Sequence, residues 1–179
     1  MQTAAGVHVM IMVADTIRLL LFPTVMAFAA SSDLLTMTIS NRVSIILVGG
    51  FFALALIAGV PAADILMNVG AAALVLAITF FFFVRGWIGG GDAKLAAATA
   101  LWLGFEHLTE YLVYASLFGG ALTLLMIQFR LAPLPRFMTG YEWIERLHHK
   151  DSGVPYGIAL AAAALMVYPE TLWMKSLGM

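Results

Sequence analysis

Six long hydrophobic runs, separated by short polar segments, limit how this chain can fold more than any other feature. The runs cover residues 17–32, 43–60, 65–84, 93–105, 110–129 and 154–172. A helix needs about 20 apolar residues to cross the hydrocarbon core of a bilayer, and most of these runs approach that length. Because unpaired backbone groups are costly in lipid, such segments cross a membrane as α-helices. The chain is therefore predicted to be an all-α, polytopic membrane helical bundle of about six transmembrane helices.

The composition excludes a soluble globular protein. Of the 179 residues, 63% are hydrophobic and 11% are charged, whereas a soluble domain carries about 25% charged residues. Six spans leave room only for short loops, so residues 1–179 are predicted to form a single membrane domain in contact with the lipid bilayer. The net charge of −1 supplies no basic field for nucleic acid, and no nucleic-acid partner is expected. The chain has no cysteine, which excludes disulfides and thiolate chemistry.

The distribution of cations predicts which ends of the spans face the cytoplasm. With the N-terminus outside, only Arg18 and Lys175 fall on the outer side. Cytoplasmic loops are enriched in Lys and Arg, so the loops near 33–42, 85–93 and 130–153 are predicted to be cytoplasmic. The cations on that side are Arg42, Arg85, Lys94, Arg130, Arg136, Arg146 and Lys150.

Three further segments have local predictions. Residues 1–16 are expected to form an interfacial segment or to lengthen the first span. Residues 141–147, within the loop, are predicted to form a short interfacial helix because Trp143 and Leu147 are four positions apart. Asp64 and Glu106 are predicted to lie in outer loops.

Two acidic residues, Asp33 and Asp92, lie at predicted cytoplasmic ends of different spans. Two carboxylates that meet in a partly desolvated place cannot both ionise cheaply, so they share a proton and titrate as a pair. The ionised member can take a proton from water while the protonated member polarises a peptide carbonyl, as in aspartic proteases. Taken singly, Asp92 is more ordinarily a helix N-cap, and Asp33 an interfacial charge.

A run of three glycines, Gly89, Gly90 and Gly91, comes directly before Asp92. Glycine adopts backbone conformations that other residues avoid and places no side chain in the way of a neighbour. Peptide bonds inside a membrane helix are shielded by the helix itself, so a protease must hold its substrate unwound. An extended substrate is therefore expected to lie against the chain beside Asp92.

Three motifs link these residues to a known family. Gly89-Gly90-Gly91-Asp92 fits the pattern GxGD, and residues 89–95 fit its extension Gly-x-Gly-Asp-x-Lys-Leu. Asp33, followed by Thr38-Ile39-Ser40-Asn41, resembles an Asp…Ile-Pro-Asn segment, with Ser40 in place of the usual proline. Residues 153–159 resemble the Pro-Tyr/Phe-Gly element that opens a last span. In this order, the three motifs resemble those of the type IV prepilin peptidases, which are GxGD aspartic membrane proteases.

The resemblance is to the short form of that family, which serves Flp-type, tight-adherence pili. It implies an aspartic endopeptidase in the bacterial inner membrane, with its active site at the cytoplasmic face, that removes the short leader of prepilin-like precursors. Water is the implied nucleophile, with no cofactor, no metal and no methyltransferase domain. The implied partners are prepilin-like precursors, with the pilus assembly machinery a further candidate. By the same resemblance, Asp33 and Asp92 are the catalytic pair. The residues expected to bind substrate or shape the site are Gly89, Gly90, Gly91, Lys94, Asn41, Pro155, Tyr156 and Gly157.

Local chemistry adds expectations for single residues. Asn41 is expected to cap the second span, and Pro155 suits the first turn of the sixth. Lys94 is either a cationic anchor at the interface or a neighbour of the carboxylates. The helix dipole favours an anion at Asp92, at a helix N-terminus, and disfavours one at Asp33, at a helix C-terminus. On that basis Asp92 is the predicted base and Asp33 its protonated partner.

Two other functions remain open from the sequence. A proton- or cation-coupled transporter subunit would use intramembrane acids, but it would place them in mid-span, whereas both candidate acids lie at span ends. A non-catalytic membrane protein of a pilus or secretion complex is the second alternative. Cleavage of a precursor separates the peptidase from both.

Overall fold

The described part of the chain consists of helices that are joined by turns and short irregular segments, without a strand. The computed structural model describes the backbone of residues 4–175 and the side chains of residues 15–175, apart from that of Arg18. Within these residues, four helices are long and apolar enough to cross a membrane. The predicted all-α class is therefore confirmed. The helices are α1 (Ala4–Thr36), α2 (Asn41–Ala58), α3 (Ala62–Val84), α4 (Gly90–Leu131), α5 (Glu142–His148), α6 (Tyr156–Val167) and α7 (Leu172–Lys175), with a 3-10 turn at Tyr168–Glu170.

The longest helix, α4, is divided at Gly104. This residue has φ 64° and ψ −177°, far outside the helical region. We call the segment before it α4a (residues 90–103) and the segment after it α4b (residues 105–131). The division corresponds to the fourth and fifth predicted spans, with one glycine in place of the predicted loop.

The chain reverses direction at Gly104, so that α4a and α4b form a helical hairpin. At the start of α4a, Gly91 packs against the turn between α1 and α2. At the end of α4b, Arg130 Nη2 donates a 2.6 Å hydrogen bond to the carbonyl of Gly153, and Gly153 packs against Met37 in that same turn. The two far ends of α4 therefore lie together, and Gly104 lies at the opposite end of the bundle.

We name the two ends of the bundle from this arrangement. The proximal end contains the α1–α2 turn, the start of α4a and the loop between α4 and α6. The distal end contains a cavity of about 490 Å³, lined by the α2–α3 turn, the residues around Gly104 and part of α7. With α4 counted as two crossing segments, the described residues pass between these ends six times, as predicted.

Two of the crossing segments are short. At about 1.5 Å per residue, α4a extends for about 21 Å and α6 for about 18 Å, against about 30 Å for the hydrocarbon core of a bilayer. Alanine-rich faces of both helices are buried, which lets α6 pack closely against α1 and α4. Because their distal ends are held in the core, their first residues lie within the bundle.

An aromatic cluster fixes these helices at the distal end. Trp102, at the end of α4a, is almost fully buried, and its Nε1 donates a 2.9 Å hydrogen bond to the carbonyl of Leu47 in α2. Trp173 Nε1 donates a 3.0 Å hydrogen bond to the carbonyl of Trp102, and the two rings are in contact. Phe22 of α1 stacks against Tyr168 at 4.4 Å between ring centroids.

Some boundaries differ from those predicted. Asp64 and Glu106 lie in helices rather than in outer loops: Pro61 starts α3 three residues before Asp64, and the turn at Gly104 needs no loop. The predicted sixth span ends as a helix at Val167, since Pro169 cannot continue it and a 3-10 turn follows.

The short helix predicted in the long loop is present as α5. Residues 4–16 continue α1, whereas residues 1–3 and the side chain of Arg18 lie outside the described residues. Interfacial placement of either segment stays a prediction.

Replacing Gly104 with alanine is expected to destabilise the protein by about 1–3 kcal/mol, because this backbone conformation is nearly confined to glycine. A Cβ at this position would also lie 2.6 Å from Asn68 Oδ1. Thermal unfolding in detergent measures the effect. Gly120→Ala is the matched control, since a Cβ there meets no atom within 4 Å. Equal melting temperatures for the two variants would show that the turn does not depend on Gly104.

Candidate active site

Asp33 lies near the end of α1, where hydroxyl groups fold the chain back on itself. Ser32 Oγ donates a 3.0 Å hydrogen bond to the carbonyl of Thr38, and the backbone at Met37 has φ 54°. Asp33 itself is 5% exposed. Its Oδ2 accepts a 2.7 Å hydrogen bond from the backbone N–H of Gly157, in the first turn of α6. The first carboxylate is thus buried and fixed against another helix.

Asp92 lies in the first turn of α4a. The helix begins after Gly89, and Asp92 Oδ2 lies 2.9 Å from the position that a Cβ would take on that glycine. The carboxylate reaches back to the backbone N–H of Gly89 at the helix start. The expectation that Asp92 is itself the N-cap is wrong, because Gly89 holds that position and Asp92 lies three residues after it. Gly91, next to Asp92, and Gly157, whose amide binds Asp33, both pack against Ile39. Two acidic residues far apart in sequence are thus brought together at the proximal end.

Ile39, in the turn between α1 and α2, lies between the glycines that accompany the two carboxylates. A Cβ on Gly91 would be 3.1 Å from Ile39 Cβ, and a Cβ on Gly157 would be 2.8 Å from Ile39 Cδ1. The three motifs therefore meet around one side chain. Sequence reasoning placed Ile39 in a motif but gave it no part in the site, since an isoleucine carries no chemical signal.

The three glycines allow neighbouring side chains to pack closely, and they do not adopt an unusual backbone conformation. Gly89 has φ −72°, and Gly90 and Gly91 belong to the helix. Gly90 packs against the ring of Phe83, and Gly91 packs against Ile39. The expectation of special backbone conformations is therefore wrong, and the space beside Gly91 is filled by the protein's own α1–α2 turn.

Lys94 and Asn41, both exposed, are hydrogen-bonded to each other and not to the carboxylates. Lys94 Nζ donates a 2.8 Å hydrogen bond to Asn41 Oδ1, which ties α4a to the first residue of α2. Asn41 is not the cap of α2, contrary to expectation: Ser40 is the N-cap, and its side chain accepts from Arg42 N at 3.3 Å. The serine in place of the usual proline thus starts the helix by capping it.

Pro155, Tyr156 and Gly157 place α6 against Asp33. Pro155 is the residue before the first turn, close to its predicted place, and a Cβ on Gly119 of α4b would overlap the Tyr156 ring. Asp33 therefore faces the N-terminus of α6, although it belongs to the C-terminal end of α1. The prediction that Asp92 is the base assumed that only Asp92 faces a helix N-terminus. Because both carboxylates face one, the helix dipole does not show which of them is the base and which is the acid.

Two arginines hold the long loop against the proximal end. Arg130 Nε donates a 2.8 Å hydrogen bond to the carbonyl of Leu147, at the end of α5. Arg146 Nη1 donates a 2.9 Å hydrogen bond to the carbonyl of Leu35, two residues after Asp33. Sequence analysis counted both only as cations. Their position beside helix ends is a signal for such contacts, because a guanidinium readily satisfies the free carbonyls there.

The arrangement suits acid–base chemistry on a peptide bond. Two interacting carboxylates can hold a proton between them, so that one receives a proton from water while the other polarises a carbonyl. Glycines allow the surrounding segments to pack closely against the two carboxylates. The backbone N–H of Gly157 also donates a hydrogen bond to the Asp33 carboxylate.

The chain matches a known protein family. The family model described as the type IV leader peptidase family matches residues 20–124, more than half of the chain, including both aspartates. The match begins within α1, at residue 20, and ends within α4b, at residue 124, so it does not include α6. No curated protein and no solved structure matches the chain.

Proposed function

The chain belongs to the type IV leader peptidase family and is thus a leader-peptidase-like membrane protease, and we propose that it is an aspartic endopeptidase with Asp33 and Asp92 as its catalytic pair. The observation that carries this proposal is that the two carboxylates lie around one side chain, from helices that are separated by two crossing segments. Gly157, whose amide binds Asp33, and Gly91, next to Asp92, both pack against Ile39. Each carboxylate also faces amides at a helix start, which fixes its orientation.

The proposed reaction uses only water and the two carboxyl groups. The ionised carboxylate takes a proton from water as the water oxygen attacks the scissile carbonyl carbon, and the protonated carboxyl gives its proton to the carbonyl oxygen. The resulting diol collapses as a proton passes to the amide nitrogen and the C–N bond breaks. The products are a carboxyl terminus on the leader and an amino terminus on the mature protein.

The proposed substrates are prepilin-like precursors with a short leader followed by an apolar helix. Asp92 is twelve residues before Gly104, or about 18 Å along α4a. This is less than the thickness of the hydrocarbon core, so the carboxylates lie near the depth at which a membrane-inserted substrate helix begins. We propose that this end faces the cytoplasm of a bacterium with the protein in its inner membrane, since the cations flank the proximal end. Pilus biogenesis is the process implied.

Co-expression with a prepilin-like precursor tests the proposal. The precursor should carry a short polar leader that ends in glycine before the apolar helix, and wild-type protein is expected to convert it to a smaller product. Mass spectrometry of the product should give the mature N-terminus without an added methyl group. A precursor with a bulky residue in place of that glycine is the matched control and should stay uncut. If the intact precursor persists with wild-type protein in the membrane, the proposal is wrong.

A further inference from the structure

The cavity at the distal end of the bundle is a second candidate site. Its volume is about 490 Å³, and pockets for small molecules have volumes of about 300–1,000 Å³. Three segments that are separate along the chain form its walls: the α2–α3 turn with the start of α3, the hairpin at Gly104, and α7 with the residue before it. Among the described residues that line it, neither Asp33 nor Asp92 is found, so the cavity is distinct from the candidate active site.

The carboxylates that line this cavity have no cationic partner in its walls. Asp64 belongs to the first turn of α3, and Glu106 comes two residues after Gly104. Of the described lining residues, none is a lysine or an arginine. A concave surface with charges of one sign raises the local concentration of ligands of the opposite sign. The charge of the cavity therefore favours a cationic ligand.

Three side chains in the walls already use their hydrogen-bond donors elsewhere. Trp102 Nε1 donates to the carbonyl of Leu47, and Trp173 Nε1 donates to the carbonyl of Trp102. Thr171 Oγ1 donates a 2.7 Å hydrogen bond to the carbonyl of Tyr168. Since an indole and a hydroxyl each have one donor, these side chains have none left for a ligand. The walls therefore offer a ligand mainly acceptors, and a ligand rich in donors suits them.

His107, near the start of α4b, has a buried nitrogen without a partner. The residue is 9% exposed and lines the cavity. Within the described part of the chain, its Nε2 has no hydrogen-bond partner. Glu106 Oε1 is 4.0 Å from this nitrogen, which is too far for a direct hydrogen bond. Because an unpaired buried polar group is costly, a molecule that reaches this nitrogen gains a favourable contact.

An ammonium group fits the gap between His107 and Glu106. Hydrogen bonds of about 2.9 Å from one nitrogen can reach two acceptors that are 4.0 Å apart, as these are. An ammonium has three donors and no acceptor, and a neutral imidazole has one acceptor nitrogen. Trp102, Phe105 and Trp173 place aromatic rings in the same walls, and ring faces attract ammonium groups. The volume exceeds what a bare ion fills, so the ammonium would belong to an organic molecule.

We propose that the distal cavity binds an organic ammonium group between Glu106 and His107. The group belongs either to a small free amine or to the headgroup of a phospholipid, and these two sources present the same chemistry. The inference goes beyond the proposed function, because the cavity lies at the opposite end of the bundle from Asp33 and Asp92. Ligand binding would hold the hairpin at Gly104 against the α2–α3 turn and so stabilise the folded protein.

Thermal unfolding of the full chain in detergent tests the binding of a free amine. The probe is benzylammonium, and benzyl alcohol is an uncharged probe of similar shape. A ligand that binds only the folded state raises the melting temperature, so benzylammonium should raise it to a plateau and benzyl alcohol should not. The double variant Asp64→Asn with Glu106→Gln should weaken the apparent Kd at least about tenfold, which corresponds to roughly 1.4 kcal/mol. The Glu106 side chain is 68% exposed, so Glu106→Gln alone should weaken binding without disturbing the packing.

Glu170→Gln is the matched control for these variants. Glu170 is an exposed acid at the same end of the bundle and is not among the residues that line the cavity. This variant removes the same charge from that end without changing the cavity walls, so it should bind benzylammonium with the wild-type Kd. Melting temperatures without ligand show that each variant is folded. A wild-type protein without a shift, or equal Kd values for all variants, would overturn the inference.

Reconstitution distinguishes the two sources of the ammonium group. Wild-type protein and the double variant are placed in bilayers of phosphatidylethanolamine and phosphatidylglycerol in equal amounts, and native mass spectrometry identifies the lipids that stay bound. Retention of phosphatidylethanolamine by wild type alone would support the headgroup as the ligand. Equal retention of both lipids, together with a saturable shift by benzylammonium, would support a free amine. Neither measurement requires cleavage of a precursor, so a negative result here leaves the proposed function unaffected.

Discussion

Asp33→Asn and Asp92→Asn are each expected to abolish processing of the precursor while leaving the protein folded in the membrane. General acid–base catalysis by one positioned group contributes about 10²–10⁴-fold in rate. Loss of either carboxylate should therefore lower the cleavage rate by about 10²-fold or more. Asparagine suits Asp33 because its side-chain oxygen can still accept the hydrogen bond from Gly157 N. Alanine would leave that buried amide unpaired at a cost of about 1–3 kcal/mol, which would mix a folding defect with a catalytic one.

Asp151→Asn is the matched control for these variants. Asp151 belongs to the long loop at the same end of the bundle, but its side chain is 92% exposed. Rates are measured as the fraction of precursor converted with time in membranes that contain equal amounts of each variant. The control should match the wild-type rate. Substantial cleavage by either catalytic variant would mean that the two carboxylates are not the acid–base pair.

The aspartates could be located from sequence because hydrophobic runs fix which residues lie at span ends. Once Asp33 and Asp92 are assigned to the same ends, their meeting requires only that the first and fourth crossing segments pack in one bundle. The motif around Gly157 came from the resemblance, and the structure adds its physical reason: its amide fixes the Asp33 carboxylate. The hydrophobic runs and the distribution of charge thus predict the depth of Asp33 and Asp92 in the membrane.

The details that sequence reasoning missed depend on contacts between distant segments. One glycine reverses α4, but no local pattern separates Gly104 from the helical glycines nearby. Ser40 rather than Asn41 caps α2, and the Asn41 side chain instead binds Lys94, 53 positions away. Asp33 faces the N-terminus of α6 only after α6 has docked. Local propensity cannot anticipate partners supplied by the tertiary fold.

Gly157→Val is expected to reduce cleavage by at least about 10²-fold, because a displacement of about 1 Å at a catalytic group has an effect of that size. A Cβ on this residue would lie 2.8 Å from Asp33 Oδ2, 3.1 Å from Asp33 Cβ and 2.8 Å from Ile39 Cδ1. These atoms belong to a short side chain and to a packed turn, so α6 must move away from α1. The buried hydrogen bond between Gly157 and Asp33 would break as it moves.

A graded series identifies the cause of this loss. Gly157→Ala should be less harmful than Gly157→Val, and Ile39→Ala combined with Gly157→Ala should recover part of the lost rate by removing one of the atoms that the new Cβ meets. Gly120→Val, at a position open for a Cβ, should cleave like wild type. Full activity in Gly157→Val would show that contact between α6 and Asp33 does not hold the carboxylate in place. In that case Asp33 must be oriented by α1 alone, and the N-terminus of α6 would have no part in the site.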